Sequence, residues 1–361
     1  IEIGAGGGSI ASVDRLGRLK VGPQSAGSEP GPAAFAKGGS EPTVTDSDVV
    51  LGLIDPDRFA EGRLKIDAGA AQNALAQNLA AELQTDSIGA AIGISEIVDE
   101  SMASAGRMHA VESGKDLATR TMIAFGGNGP LHATRVARRA GVSRILIPHD
   151  PGVGSAVGFL FAPVSFEIVR SRYATLDDLD TEALNRFFEN MAQQASAVVR
   201  AGAPDQPLNQ KRSAFMRYHG QGHEIEIALP ERKLAASDIA GLKASFEREY
   251  SQQFSRIVPG MKIEIMNWAL TVSTHAQETS PETGDIAQND AQPDSTRTII
   301  CDITGQPAKA GVYLRKSLRP GDTLNGPALI LEPQTTTFVS RDFRARVDAN
   351  GTLVLTQEER V

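Results

Sequence analysis

Met122-Ile-Ala-Phe-Gly-Gly-Asn-Gly-Pro-Leu-His-Ala133 is the stretch on which the fold turns. Ile123, Ala124 and Phe125 read as the end of a buried strand. Gly126, Gly127 and Gly129 give a turn in which no Cβ intrudes. Pro130 suits the first turn of a helix, and Leu131, Val136 and Ala137 continue at helical spacing to a stop at Gly141. Strand, glycine turn, helix is a unit that lets a flat ligand lie against bare backbone, with amide N–H groups at the helix start turned to an anion. A tight βα connection that binds nothing would use the same residues, because short glycine turns are common in α/β proteins.

Downstream, Arg144-Ile-Leu-Ile-Pro148 predicts a second short buried strand. His149-Asp-Pro-Gly-Val-Gly-Ser155 is a second glycine-proline loop, and Ala156 to Phe161 follows as a helix. The order strand, turn, helix, strand, loop, helix predicts α/β with the strands in one sheet. The loops at 126–130 and 149–155 then share one sheet edge, where α/β sheets place ligands.

Upstream, Ser87 to Ser113 predicts a long helix with Ile88, Ala91, Ile92, Ile94, Ile97, Val98, Met102, Ala105 and Met108 facing inward. His109 near its C-terminal end complements the helix dipole. Residues 68 to 84 predict a helix with Leu75, Leu79 and Leu83 on one stripe. Thr43 to Gly52 reads as a capped helix with Thr45 or Asp46 at the N-cap; Asp46 and Asp48 could instead hold a metal, but capping is the commoner use of Asp there. Gly22 to Pro42 is loop-rich and reads as a lid or subunit contact. Before it, Gly4, Gly6, Gly7 and Gly8 form a dense glycine loop followed by a β-hairpin turning at Asp14-Arg-Leu-Gly17. Neither a Lys-Ser/Thr nor a helix follows that loop, so it fits neither a Walker A nor a Rossmann pattern. The chain opens on Ile1 inside what reads as a strand, and is expected to be a processed or truncated product, one half of a split protein, or cut at an ordinary boundary.

At 361 residues the chain predicts two or three domains. Hydrophobic content of 41% and charged content of 22% are those of a soluble globular protein. A net charge of −8 argues against nucleic-acid binding. The single cysteine, Cys301, excludes an internal disulfide. No apolar run approaches the ~20 residues of a membrane span. A cytoplasmic protein with no membrane association is expected.

Beyond Arg170 a new α+β unit is expected, with an amphipathic helix from Thr181 to Arg200, strands around Phe215 and Glu224 to Leu229, a helix from Leu242 to Phe254, and a long strand from Lys262. His219-Gly-Gln-Gly-His223 converges on a metal if helical; on a strand the two rings stand roughly 13 Å apart at ~3.3 Å per residue, so no metal site is expected unless the glycines fold the strand back. Gln277 to Arg297 is polar and reads as a linker or long surface loop. Thr298 to Leu355 is a run of short strands suited to a small barrel or sandwich. The expected domains are 1–165, 166–276 and 298–361, with 277–297 between the last two.

Several of these segments, taken in order, resemble the C-terminal half of the hydantoinase A / 5-oxoprolinase family, which includes subunits of ATP-dependent ketone carboxylases. They are Ile3-Gly-Ala-Gly-Gly-Gly-Ser-Ile-Ala11, Val21-Gly-Pro-Gln-Ser-Ala-Gly-Ser-Glu-Pro-Gly-Pro-Ala33, Pro42-Thr-Val-Thr-Asp46, Ala124 to Ala133, and Gly326-Pro-Ala-Leu-Ile330 with Thr335-Thr-Thr337. The resemblance covers nearly the whole chain. It implies part of an actin/Hsp70-like nucleotide-binding fold, followed by the α+β unit and the β-rich C-terminal unit. It also implies that Gly126, Gly127, Asn128 and Gly129 form the adenosine motif, with Gly6, Gly7 and Gly8 also at the cofactor. The family's phosphate loops, of Asp-x-Gly-Gly-Thr type, lie upstream, and no such sequence occurs in these residues. ATP and Mg²⁺ are the implied cofactors, with the phosphate and Mg²⁺ loops outside this chain, which is not expected to hydrolyse ATP alone. The implied activity is ATP-dependent opening of a cyclic amide, with phosphoryl transfer to the amide oxygen ahead of hydrolysis; the alternative is the β subunit of a ketone carboxylase. The implied partners are the N-terminal half of the same subunit, a hydantoinase-B-like subunit, and a small lactam, hydantoin or ketone. His132, one turn into the helix, faces either the ligand or the core, and the resemblance assigns no catalytic residue.

Overall fold

The computed structural model describes residues 2–275 and 287–358. Two units divide the chain: Ile1–Gly158 with Ser280–Val361, and Phe159–Thr279. The fold is mixed α/β.

The first unit opens with an antiparallel hairpin of β1 (Ser9–Val13) and β2 (Leu19–Ser25), whose turn is closed by Asp14 Oδ1 accepting from the N–H groups of Leu16 and Arg18. Helix α1 (Val44–Val50) is capped by Thr43, two or three residues before the expected position. The Thr43 hydroxyl accepts from the Asp46 N–H, and the Asp46 carboxylate accepts from the Thr43 N–H at 2.8 Å. This reciprocal box fixes where the helix begins. Asp46 also accepts from the N–H groups of Ala33 and Ala34, so its oxygens anchor the preceding loop and are taken up by backbone.

Helix α2 (Ala68–Leu75) runs into a π-helical turn over Ala76–Ala80, where a continuous helix to residue 84 was expected. The Asn78 side-chain amide donates to the Ala74 carbonyl at 2.8 Å and competes for the acceptor an α-helix would use there. Helix α3 (Ser87–Glu112) buries Ala91, Ile94 and Val98, but Ile88 and Met108 are 37% and 61% exposed against expectation. Helix α3 packs against both α1 and the helix after the central turn. His109 lies exposed in its last turn.

Strand β3 (Thr121–Ile123) is followed by α4 (Gly129–Ala140), β4 (Arg144–Ile147) and α5 (Gly154–Phe161). β3 and β4 pair in parallel, Thr121 opposite Arg144. The expected buried end of β3 is not buried: Ile123 and Phe125 are 61% and 53% exposed, and only Ala124 is covered. β3 is the edge strand of its sheet, with one neighbour among the described residues.

The second unit is a four-stranded antiparallel sheet with two helices. In chain order it comprises β5 (Ser165–Thr175), α6 (Thr181–Gly202), β6 (Leu208–Tyr218), β7 (Ile225–Leu229), α7 (Ile239–Phe254) and β8 (Ile263–Thr274). The sheet order is β5-β8-β6-β7. Phe188 and Met191 of α6 and Phe246 of α7 pack on Met216, Tyr218, Ile265 and Trp268. His219 and His223 part company just beyond β6: His219 Nδ1 lies 2.6 Å from Glu264 Oε1, and His223 sits edge-on to Phe254.

The chain then returns to the first unit through β9 (Asn289–Asp290), β10 (Ser295–Ile300), β11 (Pro307–Leu314), β12 (Asp322–Asn325), β13 (Ala328–Leu331), β14 (Thr336–Val339), β15 (Phe343–Val347) and β16 (Leu353–Gln357). Of the expected linker, residues 277–286 lie outside the described residues, and the remainder carries β9 and the start of β10. The strands do not stand apart as an independent domain from 298 onward. β16 pairs antiparallel with β4, Leu353 opposite Ile147, in a six-stranded sheet of order β3-β4-β16-β15-β12-β9. The cause is a shared core: Leu353 and Leu355 bury against Ile145, Ile147, Ala133 and Ala137. A second sheet, β10-β11-β13-β14, turns Ile299, Leu329 and Phe338 toward α1, α2 and α3. Among the described residues no helix is long and apolar enough to cross a membrane.

Candidate functional site

Three loops meet at the ends of β3, β4 and β13. The Gly126 N–H donates to the Pro151 carbonyl at 2.7 Å, which ties the glycine turn to the loop after β4. This places the 126–130 and 149–155 loops side by side, as expected. The third loop was not foreseen. The Glu332 N–H donates to the Thr335 carbonyl at 3.0 Å and closes a turn after β13. The Thr335 hydroxyl then donates to the Gly127 carbonyl at 2.8 Å. Gly152 lies so near Gln334 that a Cβ there would stand 2.5 Å from the Gln334 Cβ, so the loop after β4 needs glycine at that point.

The turn itself is open. Gly126 has φ +94°, a conformation that suits glycine. A Cβ at Gly126, Gly127 or Gly129 would meet no heavy atom within 4 Å. Asn128 is the N-cap of α4, yet its side chain does not cap the helix. The Leu131 N–H donates to the Asn128 carbonyl at 3.2 Å, the Asn128 side chain accepts from none of the opening N–H groups, and the helix start carries the positive end of the dipole.

The glycine loop near the N-terminus reaches the same place through one residue. The Gly7 carbonyl accepts from the Thr45 N–H at 2.8 Å. A Cβ on Gly7 would stand 2.7 Å from Thr45 Oγ1 and 3.4 Å from Asn128 Nδ2, so Gly7 is pressed between α1 and the central turn. Gly8 is likewise pressed on Ser25 Oγ. The Gly6 N–H already donates to Ser9 Oγ at 3.0 Å, while its Cβ direction is free.

Below the turn lies a buried charged cluster whose Asp99 and Arg135 the sequence did not single out. Asp48, Asp99, His132 and Arg135 are at most 4% exposed. His132 Nδ1 is 2.7 Å from Asp99 Oδ1, and Nε2 is 3.3 Å from Asp48 Oδ2. Arg135 Nε stands 2.8 Å from Asp99 Oδ2. Burial, the largest influence, pushes the imidazole down, but the Asp48 and Asp99 carboxylates together overcome it and His132 is raised to about 9. His132 thus sets Nδ1 toward Asp99 and Nε2 toward Asp48, and the two carboxylates favour its charged form. Arg135 Nη2 also lies 2.8 Å from Nδ1, and its charge opposes the ring's proton. Burial raises Asp99, and Arg135 and His132 overcome it to hold the carboxyl below its usual range. The Asn128 amide donates to Asp48 Oδ2 at 3.3 Å, so the cluster holds the side chain at the centre of the turn. His132 therefore faces the core. The one clue in the sequence was spacing: His132 and Arg135 are three apart on α4, and hence on one face.

Among the described residues no group of three or more His, Cys, Asp or Glu could hold a metal ion.

The hydantoinase/oxoprolinase sequence profile matches residues 1–168, and that of the hydantoinase/oxoprolinase C-terminal domain matches 176–358. Caprolactamase subunit alpha of Pseudomonas jessenii is 31% identical over 360 residues, covering 98% of this chain and 52% of that protein. The acetophenone carboxylase gamma subunit of Aromatoleum aromaticum is 30% identical over 377 residues, covering 98% and 50%. The crystal structure of ATP-dependent caprolactamase from Pseudomonas jessenii superposes with a TM-score of 0.80 at 30% identity over 98% of this chain and 52% of that one. The chain spans about half the length of these relatives. With the two profiles together matching residues 1–168 and 176–358, this chain belongs to the hydantoinase/oxoprolinase family.

Proposed function

We propose that this chain is part of the ATP-dependent subunit of a cyclic-amide hydrolase, and that its first unit is the second lobe of an actin/Hsp70-like nucleotide-binding fold. The observation that carries the reading is the Gly126–Gly129 turn, bare on one side and set at the uncapped start of α4. ATP, when bound, supplies the phosphoryl group that activates the substrate's carbonyl oxygen. The chain's own residues bind and orient: Gly126, Gly127 and Gly129 leave room for the nucleoside, Asn128 is held still by Asp48, and Gly7 brings the N-terminal loop against it. Gly6 fits the same open side; Gly8 fits close packing better than ligand contact. The described residues do not offer a donor set for Mg²⁺, and no step is assigned to it. Phosphate and Mg²⁺ groups come from a partner region, the N-terminal half of the subunit, and a hydantoinase-B-like subunit completes ring opening.

The ATP-dependent caprolactamase at 30% identity over 98% of the chain supports a lactam or hydantoin as substrate. A ketone carboxylase subunit is the second reading, favoured by the 30% identity to the acetophenone carboxylase gamma subunit. Phosphate release by the assembled protein, with lactams or ketones and with or without bicarbonate, separates the two. Lactam-stimulated release independent of bicarbonate is the expected result. Release that needs both a ketone and bicarbonate selects the carboxylase. Release stimulated by neither substrate overturns both.

A further inference from the structure

The six-stranded sheet of the first unit has two unlike faces. On one, Ile145, Ile147, Leu353 and Leu355 bury with Ala133 and Ala137 of α4. Side chains alternate along a strand, so the residues between them belong to the other face. The register aligns these in rows. Ile123, Leu146, Val354 and Arg346 run across β3, β4, β16 and β15 in one row. Arg144 of β4 and Arg344 of β15 stand in the next, with Thr356 between them. None of Ile123, Leu146 and Val354 joins a hydrophobic core among the described residues.

This second face is unfinished at both ends. β3 and β4 are a parallel pair, the pairing found where both faces of a sheet are covered. Yet Ile123 is exposed and Leu146 only half-buried, so apolar surface is left at the β3 end. Arginines stand at the other. Arg144 and Arg346 are exposed, and neither has an ion-pair partner among the described residues. Arg344 donates to the Thr323 hydroxyl and reaches only Asp290, at 4.0 Å, whose side chain is itself 86% exposed. On a chain of net charge −8 this is a local excess of positive charge. A second copy of the chain, meeting this face symmetrically, would set arginine against arginine. A helix with an apolar stripe flanked by carboxylates satisfies both ends, since guanidinium groups pair with carboxylates in two-pronged geometry.

We propose that this face docks an acidic amphipathic helix of the partner subunit, its apolar stripe on Ile123 and Leu146 and its carboxylates on Arg144, Arg344 and Arg346. The assignment rests on the reading that a second subunit completes ring opening, and adds to it the surface on which that subunit sits and the chemistry that holds it. Relatives of this chain carry subunit designations, alpha in the caprolactamase and gamma in the acetophenone carboxylase.

The test is dissociation of the assembled protein on dilution, followed by mass photometry at about 50 mM and about 500 mM salt. Salt should loosen the unaltered assembly. Arg144→Glu combined with Arg346→Glu should raise the Kd for the partner subunit at least about tenfold at low salt, and the salt dependence should flatten or reverse. Ile123→Asn should weaken docking at least about threefold and leave the salt dependence in place. An unchanged Kd in the double variant overturns the assignment and leaves the second subunit standing. So does a salt dependence that the arginine substitutions do not alter. Loss of contact between copies of this chain, with the partner retained, assigns the face to a second copy and overturns the docking of the partner. If the double variant does not fold, the face is covered from within its own subunit and the assignment falls. Purification of the unaltered protein from its source with no second polypeptide overturns this assignment together with the second-subunit reading.

Discussion

The Thr335 hydroxyl bonds the Gly127 carbonyl at 2.8 Å across 208 positions of sequence. The bond joins the turn after β13 to the turn after β3 and fixes the direction of the glycine backbone on which the open side depends. Thr335→Val keeps the shape and removes the donor. Stability is expected to fall by about 1 kcal/mol, and by more if the Gly127 carbonyl is left without water. Urea unfolding measures the loss. A Thr335→Ser variant, which keeps the hydroxyl, should recover most of it.

Gly127 faces open space, so a side chain there costs the fold little and the ligand much. Gly127→Val should change unfolding free energy by no more than about 1 kcal/mol. Nucleotide affinity of the assembled protein should fall at least tenfold, about 1.4 kcal/mol. Unaltered affinity would sink the adenosine assignment.

Gly7 and Gly6 are neighbours in sequence and opposites in setting. A Cβ on Gly7 would stand 2.7 Å from Thr45 Oγ1, whereas one on Gly6 would meet nothing within 4 Å. Gly7→Ala should destabilise by about 1–3 kcal/mol through forced repacking of α1 against the central turn. Gly6→Ala should stay within about 0.5 kcal/mol. Thermal melts of the two variants check the contrast.

The buried cluster makes stability depend on pH. His132 is raised from 6.5 to about 9, so the folded state binds its proton more tightly than the unfolded chain does. The stabilisation is complete below pH 6.5 and is lost as pH rises through about 9. The amount at stake is about 3 kcal/mol for a shift of this size. Asp48, Asp99 and Arg135 are the charged groups that face the ring. His132→Ala leaves two carboxylates buried with less charge to balance them, and should cost about 3–5 kcal/mol at neutral pH. The same variant should flatten the loss between pH 6.5 and 9, which denaturant titrations across that range would read.

Local residue order carried much of the fold to the surface of the sequence. Gly126 through Pro130, with helical spacing from Leu131 to Gly141, announces strand, turn and helix because backbone freedom and ring constraint act over a few residues. The α1 cap was placed slightly late because Thr45 and Asp46 are also capping types; the reciprocal bonds of Thr43 and Asp46 decide the matter, and those depend on geometry. Ile123 and Phe125 read as buried because they are apolar, but burial belongs to the neighbours a strand acquires, and β3 is at a sheet edge.

Sequence alone determined the glycine turn, the family resemblance, and the meeting of the loops after β3 and β4, since each rests on contiguous residues or on strand order. Tertiary structure alone decided three things. It placed Thr335 on Gly127, drew Asp99 and Arg135 around His132, and buried Glu332 beside Arg315 without a hydrogen-bond donor. The strands after 298 also reveal their place only there, where β16 finds β4. The reason is the same in each case. Pairing between residues far apart in sequence is set by packing of shared apolar faces and by where buried polar groups find partners, and neither leaves a periodic trace along the chain.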